Sequence, residues 1–501
     1  MELQRVFQPG LIWMKSPASP ALVEPAWSTE PDTEAIKSTV AETISDVGKE
    51  HINVTFLAEG ALNKVYLIYD KKNDKQYVMR VSLPVDPYHK TYTEVSTLKY
   101  LRSKTILPVP EVYAYNTSPS KTIGFEWILM SFVPGVTLQS CWFRLTMDEK
   151  RDILSQIVAF QAELFAHPFH GVGGLMIDDI GSLVVGRASE DCLWWYNRLH
   201  DPFHKGPFSS AQEYLTSKAL HMRNETQGSY EREMAIRRSR QQRSQSDPAA
   251  QILLPSVNDE EEAEQDNDEE DEPHHIPILR NLQRILTGFP ELFRGVLPLT
   301  NNTSAQEISI LAHADLSANN ILIDPNTKKI TGIIDWENVL AMPLSLACDL
   351  PKLLEPNTRP RHEAPDPDRY GDYTPRFDTE YHGELLGKND HYVDALLEHQ
   401  ATELRAYFLE EMHKVCPAWV QEYQDGKDLR ALAQVVALAD DYWSVNEVAE
   451  WLNYFEAGNK KTMAWIEWGR ELEEEVMKQQ AVSEDNILKV EDDGKGNVHD
   501  G

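Results

Sequence analysis

Residues 320–335 are written as a β-hairpin, and a hairpin of that length dictates which of its residues must meet. Residues 320–324 and 330–335 are isoleucine-rich runs, and Asp324-Pro325-Asn326-Thr327 between them are turn formers. Folding back on itself, such a ribbon sets Asn320 at its entrance beside Asp335 at its exit, with the loop that carries His313 and Asp315 immediately before. Each residue alone has an ordinary explanation as a turn residue, a cap or a core histidine. Their fixed order around one hairpin favours a shared site.

The residue types define its chemistry. An Asn carboxamide and an Asp carboxylate offer the hard oxygen ligands that suit Mg²⁺, which takes one or two protein carboxylates and completes its octahedron with water and phosphate. Asp315 is left as a metal-free carboxylate able to accept a proton from an attacking hydroxyl. A metallohydrolase cluster built on His313, Asp315 and Asp335 would need several further His and Asp ligands, and none lies nearby in the chain.

The string His313-Ala-Asp315-Leu-Ser-Ala-Asn319-Asn320-Ile-Leu, followed by Ile333-Ile-Asp335-Trp-Glu, resembles the aminoglycoside phosphotransferase and choline kinase branch of the protein-kinase-like fold. That branch has Trp-Glu where protein kinases carry Phe-Gly after the metal-binding Asp. Val81-Ser-Leu-Pro and Gly206-Pro-Phe add a likeness to a large fungal subgroup, and the resemblance covers roughly residues 50–470. It implies an α+β, two-lobed protein-kinase-like fold with a small antiparallel-sheet N-lobe and a larger helical C-lobe. The activity implied is transfer of the γ-phosphate of ATP to a hydroxyl of a small molecule, with Mg²⁺.

Under that resemblance Asp315 is catalytic, Asn320 and Asp335 hold the metal, and His313 organises the loop. Asp349, in Ala347-Cys-Asp-Leu, stands where the family has a recurrent loop-supporting Asp. Arg80 occupies the place of the kinase lysine that pairs with the nucleotide phosphates, and Glu94 on the following helix either anchors it or is an exposed acid at a helix start. The backbones of Ser131 and Val133 would face the adenine edge. Gly60, between the first two strands, would let phosphates approach the backbone closely, although a single Gly there is most often only a hairpin turn. Arg80 in place of lysine and a glycine-poor loop keep a second reading open, a pseudokinase or scaffold that binds without turnover.

The organisation follows the same division. Residues 1–50 read as an N-terminal extension, 51–135 as an N-lobe of short strands around one helix, and 136–475 as a helical C-lobe containing the catalytic loop 311–337. Pro134-Gly135 is the natural hinge. Within the C-lobe, residues 223–273 run from an Arg-rich block into an almost unbroken acidic stretch, which reads as a disordered insertion and a candidate contact for a protein partner. Residues 476–501 form an acidic tail.

A net charge of −32 argues against a nucleic-acid binder. No apolar run reaches membrane-spanning length, and the four cysteines form neither a zinc pattern nor a disulfide framework. A cytoplasmic location is expected. Mitochondrial import is the alternative, because residues 1–22 hold a single acid, but their three prolines spoil an amphipathic helix.

Overall fold

The computed structural model describes residues 8–15, 23–44, 47–118, 123–246, 280, 282–289, 306–355, 360–372, 386–439, 444, 448–451 and 453. Strands β1 (Leu11–Lys15) and β2 (Val23–Trp27) form an antiparallel hairpin, and helix α1 (Thr33–Thr43) follows, capped by Asp32, whose side chain accepts from the Glu34 N–H at 2.9 Å. Ala35, Ile36, Thr39 and Val40 make its buried stripe. Because of that stripe, residues 33–43 are not the appendage that the sequence division suggests. They pack into the core of the first lobe.

That lobe is a five-stranded antiparallel sheet of β3 (Ile52–Glu59), β4 (Asn63–Asp70), β5 (Lys75–Ser82), β6 (Val112–Asn116) and β7 (Glu126–Ser131), in the spatial order β3-β4-β5-β7-β6. Period-two alternation sorts its side chains. Tyr77, Met79 and Val81 of β5, with Trp127 and Leu129 of β7, pack with Ile36 and Val40 of α1. Val78, Ile128 and Met130 turn to the opposite face and meet Val95 of helix α2 (His89–Lys104). Arg80 shares that second parity, which aims it at α2 and at the cleft between the lobes.

Past the hinge, β8 (Val136–Thr137) leaves the first sheet and pairs with the predicted hairpin, Thr137 opposite Leu322 and Val136 opposite Ile323. Gly135 makes this crossing possible. Its φ is +141°, and a Cβ there would lie 2.7 Å from the Ile323 carbonyl oxygen and 2.7 Å from Thr331 Oγ1. Gly135→Ala is therefore expected to destabilise the protein by about 2 kcal/mol in a denaturant melt, through backbone strain and the clash with a carbonyl.

The second lobe begins with helix α3 (Met147–Phe165), opened by a reciprocal capping box between Thr146 and Glu149. Then come β9 (Phe169–His170), β10 (Leu175–Ile177), β11 (Leu183–Val185) and the long helix α4 (Ala211–Ser246). Strand β12 (Ile308–Ala312) leads into the loop, β13 (Ile321–Ile323) and β14 (Ile330–Ile333) form the hairpin, and β15 (Leu340–Pro343) returns to pair with β12. Helices α5 (Asp390–Val415), α6 (Pro417–Asp425) and α7 (Lys427–Leu438) close the lobe. Ile153, Leu154 and Ile157 of α3 share a core with Leu404, Phe408 and Met412 of α5.

One expectation fails here. Residues 223–246, read as the start of a disordered insertion, continue α4 as helix. The first turns of α4 bury Tyr214, Leu215, Ala219 and Met222 against Ile285, Leu286 and Phe289, which supplies the costly nucleus. Propagation then needs only helix formers, and Glu, Arg, Gln, Met and Ala without proline provide them. Residues 247–273 and the tail 476–501 lie outside the described residues. Among the described residues no helix is long and apolar enough to cross a membrane.

Candidate active site

The hairpin closes as its sequence predicts. Ile321 stands opposite Ile333, and the Ile334 N–H donates to the Asn320 carbonyl at 2.9 Å, which puts the two ends in register. The Asn320 amide nitrogen donates to Asp315 twice, to Oδ2 at 2.8 Å and to the main-chain carbonyl at 2.9 Å. Both partners are acceptors only, so the carboxamide orientation is fixed and Asn320 Oδ1 remains available. Asn320 is buried, whereas the Asp315 carboxylate is exposed.

His313 braces this loop from behind. Its Nε2 lies 3.1 Å from the Ile334 carbonyl and must donate to it, while the ring sits edge-to-face on Trp336 at 4.8 Å. Burial holds the imidazole below its ordinary pKa, so it serves as a neutral brace. Trp336 is anchored in turn by its indole N–H to the Ile333 carbonyl at 2.9 Å. Asp335 and Asn338 adopt φ of +63° and +56°, a left-handed backbone uncommon for residues with a Cβ, and this tight turn presents the Asp335 side chain.

Across the cleft, Arg80 is surrounded by carboxylates. Its Nη2 bonds Glu94 and lies 3.2 Å from Glu337, and its Nη1 lies 3.2 Å from Asp335. The structure thus settles how Glu94 sits: it is buried on α2 against the guanidinium, not exposed at a helix start. Three residues with no role assigned from sequence complete the network. Lys90 Nζ lies 2.7 Å from Glu337 Oε2 and 2.9 Å from Asn63 Oδ1, and the Asn63 amide donates to Glu337 at 2.8 Å. The signals were present in the chain: Lys90 and Glu94 stand four apart on one helix face, and Glu337 is only two residues from Asp335.

These contacts pull the carboxylates in different directions. Burial raises Glu337, but Lys90 and Arg80 overcome it and hold this carboxyl down at about 2. Burial pushes Glu94 up to about 7 against the pull of Arg80. Asp335 is raised to about 6 by burial and by repulsion from Glu337 and Asp315, partly offset by Arg80 and Lys90. The depressed Glu337 lends stability that is present above its unfolded pKa and lost as pH falls toward 2. Between about pH 5 and about pH 3 the native protein should therefore lose about 2 kcal/mol more than Glu337→Gln, read from denaturant melts of both.

Gly60, Ser131, Val133 and Asp349 take the following positions. The Gly60 N–H closes its turn on the Asn63 carbonyl at 2.9 Å, and a Cβ there would meet nothing within 4 Å, which leaves open space beside the turn. Ser131 ends β7 with its N–H on the Glu111 carbonyl at 2.8 Å, and a Cβ on Gly332 would lie 2.5 Å from Val133 Cγ1. Ser131 and Val133 thus stand at the crossing between lobes, Val133 pressed on the β13–β14 hairpin. Asp349 accepts from the Leu350 N–H at 2.8 Å and lies 3.4 Å from Arg430 Nε. A main-chain tie to the loop that carries Asp315 comes from the Leu353 N–H to the Leu316 carbonyl at 3.0 Å.

The donor set fits a divalent cation. Asn320 Oδ1 and the Asp335 carboxylate come from adjacent ends of one hairpin, and both are hard oxygens. Asp335 keeps 39% of its side chain exposed, against 7% for Arg80 and 2% for Glu94, so it is the carboxylate of the network that a cation could reach.

Behind the loop, a cavity of about 840 Å³ is lined by His313, Ala314, Glu190, Lys218, Asn338 and Gln161 among others. Glu190 Oε2 accepts from Tyr214 at 2.9 Å and from Lys218 at 3.1 Å, and the Asn338 amide donates to Asp191 at 3.1 Å. Glu190 Oε1, Asn338 Oδ1 and Gln161 Oε1 are buried acceptors without a hydrogen-bond partner among the described residues.

The family described as "Phosphotransferase enzyme family" matches residues 53–385. A subtelomeric hrmA-associated cluster protein of Aspergillus fumigatus is 28% identical over 329 residues, covering 60% of this chain and 60% of that protein. The mitochondrial altered inheritance of mitochondria protein 9 of Clavispora lusitaniae is 28% identical over 224 residues, 41% of this chain and 36% of that one. This chain thus spans three fifths or less of these curated relatives. Among solved structures, choline kinase from Cryptosporidium parvum aligns over 89% of this chain and 97% of its own, at 14% identity and a TM-score of 0.40.

Proposed function

This chain belongs to the phosphotransferase enzyme family, and we propose that it is an ATP- and Mg²⁺-dependent kinase that moves the γ-phosphate to a hydroxyl of a small molecule. The observation that carries this reading is the pair of hydrogen bonds from Asn320 to Asp315, made at the hairpin end where Asp335 emerges. Asp315 has its backbone and one carboxylate oxygen pinned, and its carboxylate remains exposed for an acceptor hydroxyl. It takes the hydroxyl proton as that oxygen bonds to the γ-phosphorus and the bridging oxygen leaves with the nucleoside diphosphate. Asn320 and Asp335 would hold Mg²⁺, which when bound neutralises phosphate charge. Arg80, fixed by Glu94, presents its guanidinium to the same region.

The acceptor is proposed to enter the cavity behind the loop. Its lining carries polar side chains, among them Glu190, Lys218, Asn338 and Gln161, which favours a polar ligand. Incubating the protein with Mg²⁺, ATP and fractionated metabolite pools should produce an ATP-dependent phosphorylated product, carried by a polar compound with a hydroxyl and read by mass spectrometry. No product from any pool, with nucleotide bound, would instead support the scaffold reading. One feature favours that alternative: Arg80 already faces three carboxylates.

For location we propose the cytoplasm, with mitochondria as the alternative that the name of the Clavispora lusitaniae relative supports. A C-terminal fluorescent fusion of the full chain distinguishes the two. The charged stretch 223–273 stays a proposed contact for a protein partner.

A further inference from the structure

Glu337 stands on the C-lobe side of the cleft, yet all three side chains that hold it belong to the N-lobe: Asn63 of β4, Arg80 of β5 and Lys90 of α2, at 2.8, 3.2 and 2.7 Å. The bridge is built from buried parts. Lys90 is 1% exposed, and Asn63 is held in place by Ser82 Oγ at 3.0 Å as well as by Lys90. A lysine is costly to bury and is found inside only when paired, so its position on the first turn of α2 demands an explanation that packing does not supply. Arg80 cannot substitute for it, because Glu94, Asp335 and Glu337 already crowd its guanidinium. Trp336, between the two acidic residues, is fixed to the C-lobe by Ile333 and His313. The turn is thus clamped on both sides, and the direction of the Asp335 carboxylate follows from the clamp.

We propose that Lys90 is a positioning residue for phosphoryl transfer: with Asn63 it latches Glu337 to the N-lobe, and the latch both joins the lobes and orients Asp335 toward the metal-nucleotide. Lys90 touches neither nucleotide nor acceptor in this role. It acts through Glu337, and the role in catalysis rests on the kinase reading above, whereas the latch itself does not.

The test uses the full chain with Lys90→Gln, Lys90→Arg, Glu337→Gln and the double variant Lys90→Gln/Glu337→Gln. Amide hydrogen exchange at residues 334–338 reads the latch, and calorimetric titration with Mg²⁺-ADP reads its consequence. Lys90→Gln should speed exchange in that turn about tenfold, leave the core of α3 and α5 at the native rate, and weaken Mg²⁺-ADP about tenfold. Lys90→Arg should recover most of both, and the double variant should be no worse than the worse single, because both remove one interaction. Faster exchange throughout the protein, strictly additive losses, or native exchange and affinity in Lys90→Gln would each overturn the proposal. A native protein that binds no Mg²⁺-nucleotide would sink the kinase reading instead, and the exchange data would still decide the latch.

Discussion

Asp315→Ala is expected to lower phosphoryl transfer by about 10²–10⁴-fold, the usual contribution of a placed general base, while leaving Mg²⁺-nucleotide affinity within about twofold of native. The split follows from where the side chain stands. Its carboxylate is exposed and bonded to Asn320, outside the network of Arg80, Lys90, Glu94 and Glu337 that joins the lobes. Removing it takes away the proton acceptor and frees one Asn320 N–H, but that amide keeps its bond to the main-chain carbonyl at 315. Steady-state rates on an acceptor found by the metabolite screen, with calorimetric nucleotide titrations alongside, check both halves. Undiminished transfer would remove Asp315 from the mechanism.

Asp335→Ala should have the complementary signature. Nucleotide binding that depends on Mg²⁺ should weaken by about 100-fold or more, since one of two protein ligands is gone and each tenfold is worth about 1.4 kcal/mol. The same substitution relieves crowding among like charges: Asp335 is raised to about 6 because burial and Glu337 oppose its ionisation. Thermal stability without Mg²⁺ should consequently hold or rise, although Arg80 loses one of its three carboxylates. A protein that is at least as stable without metal yet blind to Mg²⁺ would be hard to explain by misfolding. Equal nucleotide affinity with and without Mg²⁺ in the native chain would contradict the assignment outright.

The hairpin, its convergence on Asp315, and the sheet-then-helix division were legible because each rests on local signals: turn formers at 324–327, β-branched alternation in β4 and β5, helical spacing in α2, α3 and α5. What escaped was set by tertiary contact. Lys90 looks like any surface lysine at a helix start until Asn63, 27 residues earlier, and Glu337 close over it. Helix α1 is short and weakly apolar, and its place beneath the sheet depends on Tyr66, Ile68 and Met79 presenting the matching face. Residues 223–246 have the composition of a solvated segment but inherit helix from the packed turns before them. Gly60 was legible as a turn residue between two strands, and it closes that turn on the Asn63 carbonyl.

The most direct test is a crystal structure of the native chain with Mn²⁺ and a non-hydrolysable ATP analogue, with the metal located by its anomalous signal. The peak should lie within about 2.5 Å of both Asn320 Oδ1 and an Asp335 oxygen, with the terminal phosphate facing the Asp315 carboxylate. A metal bound elsewhere, or a triphosphate that leaves Asp315 out of reach of its terminal phosphorus, would contradict the account.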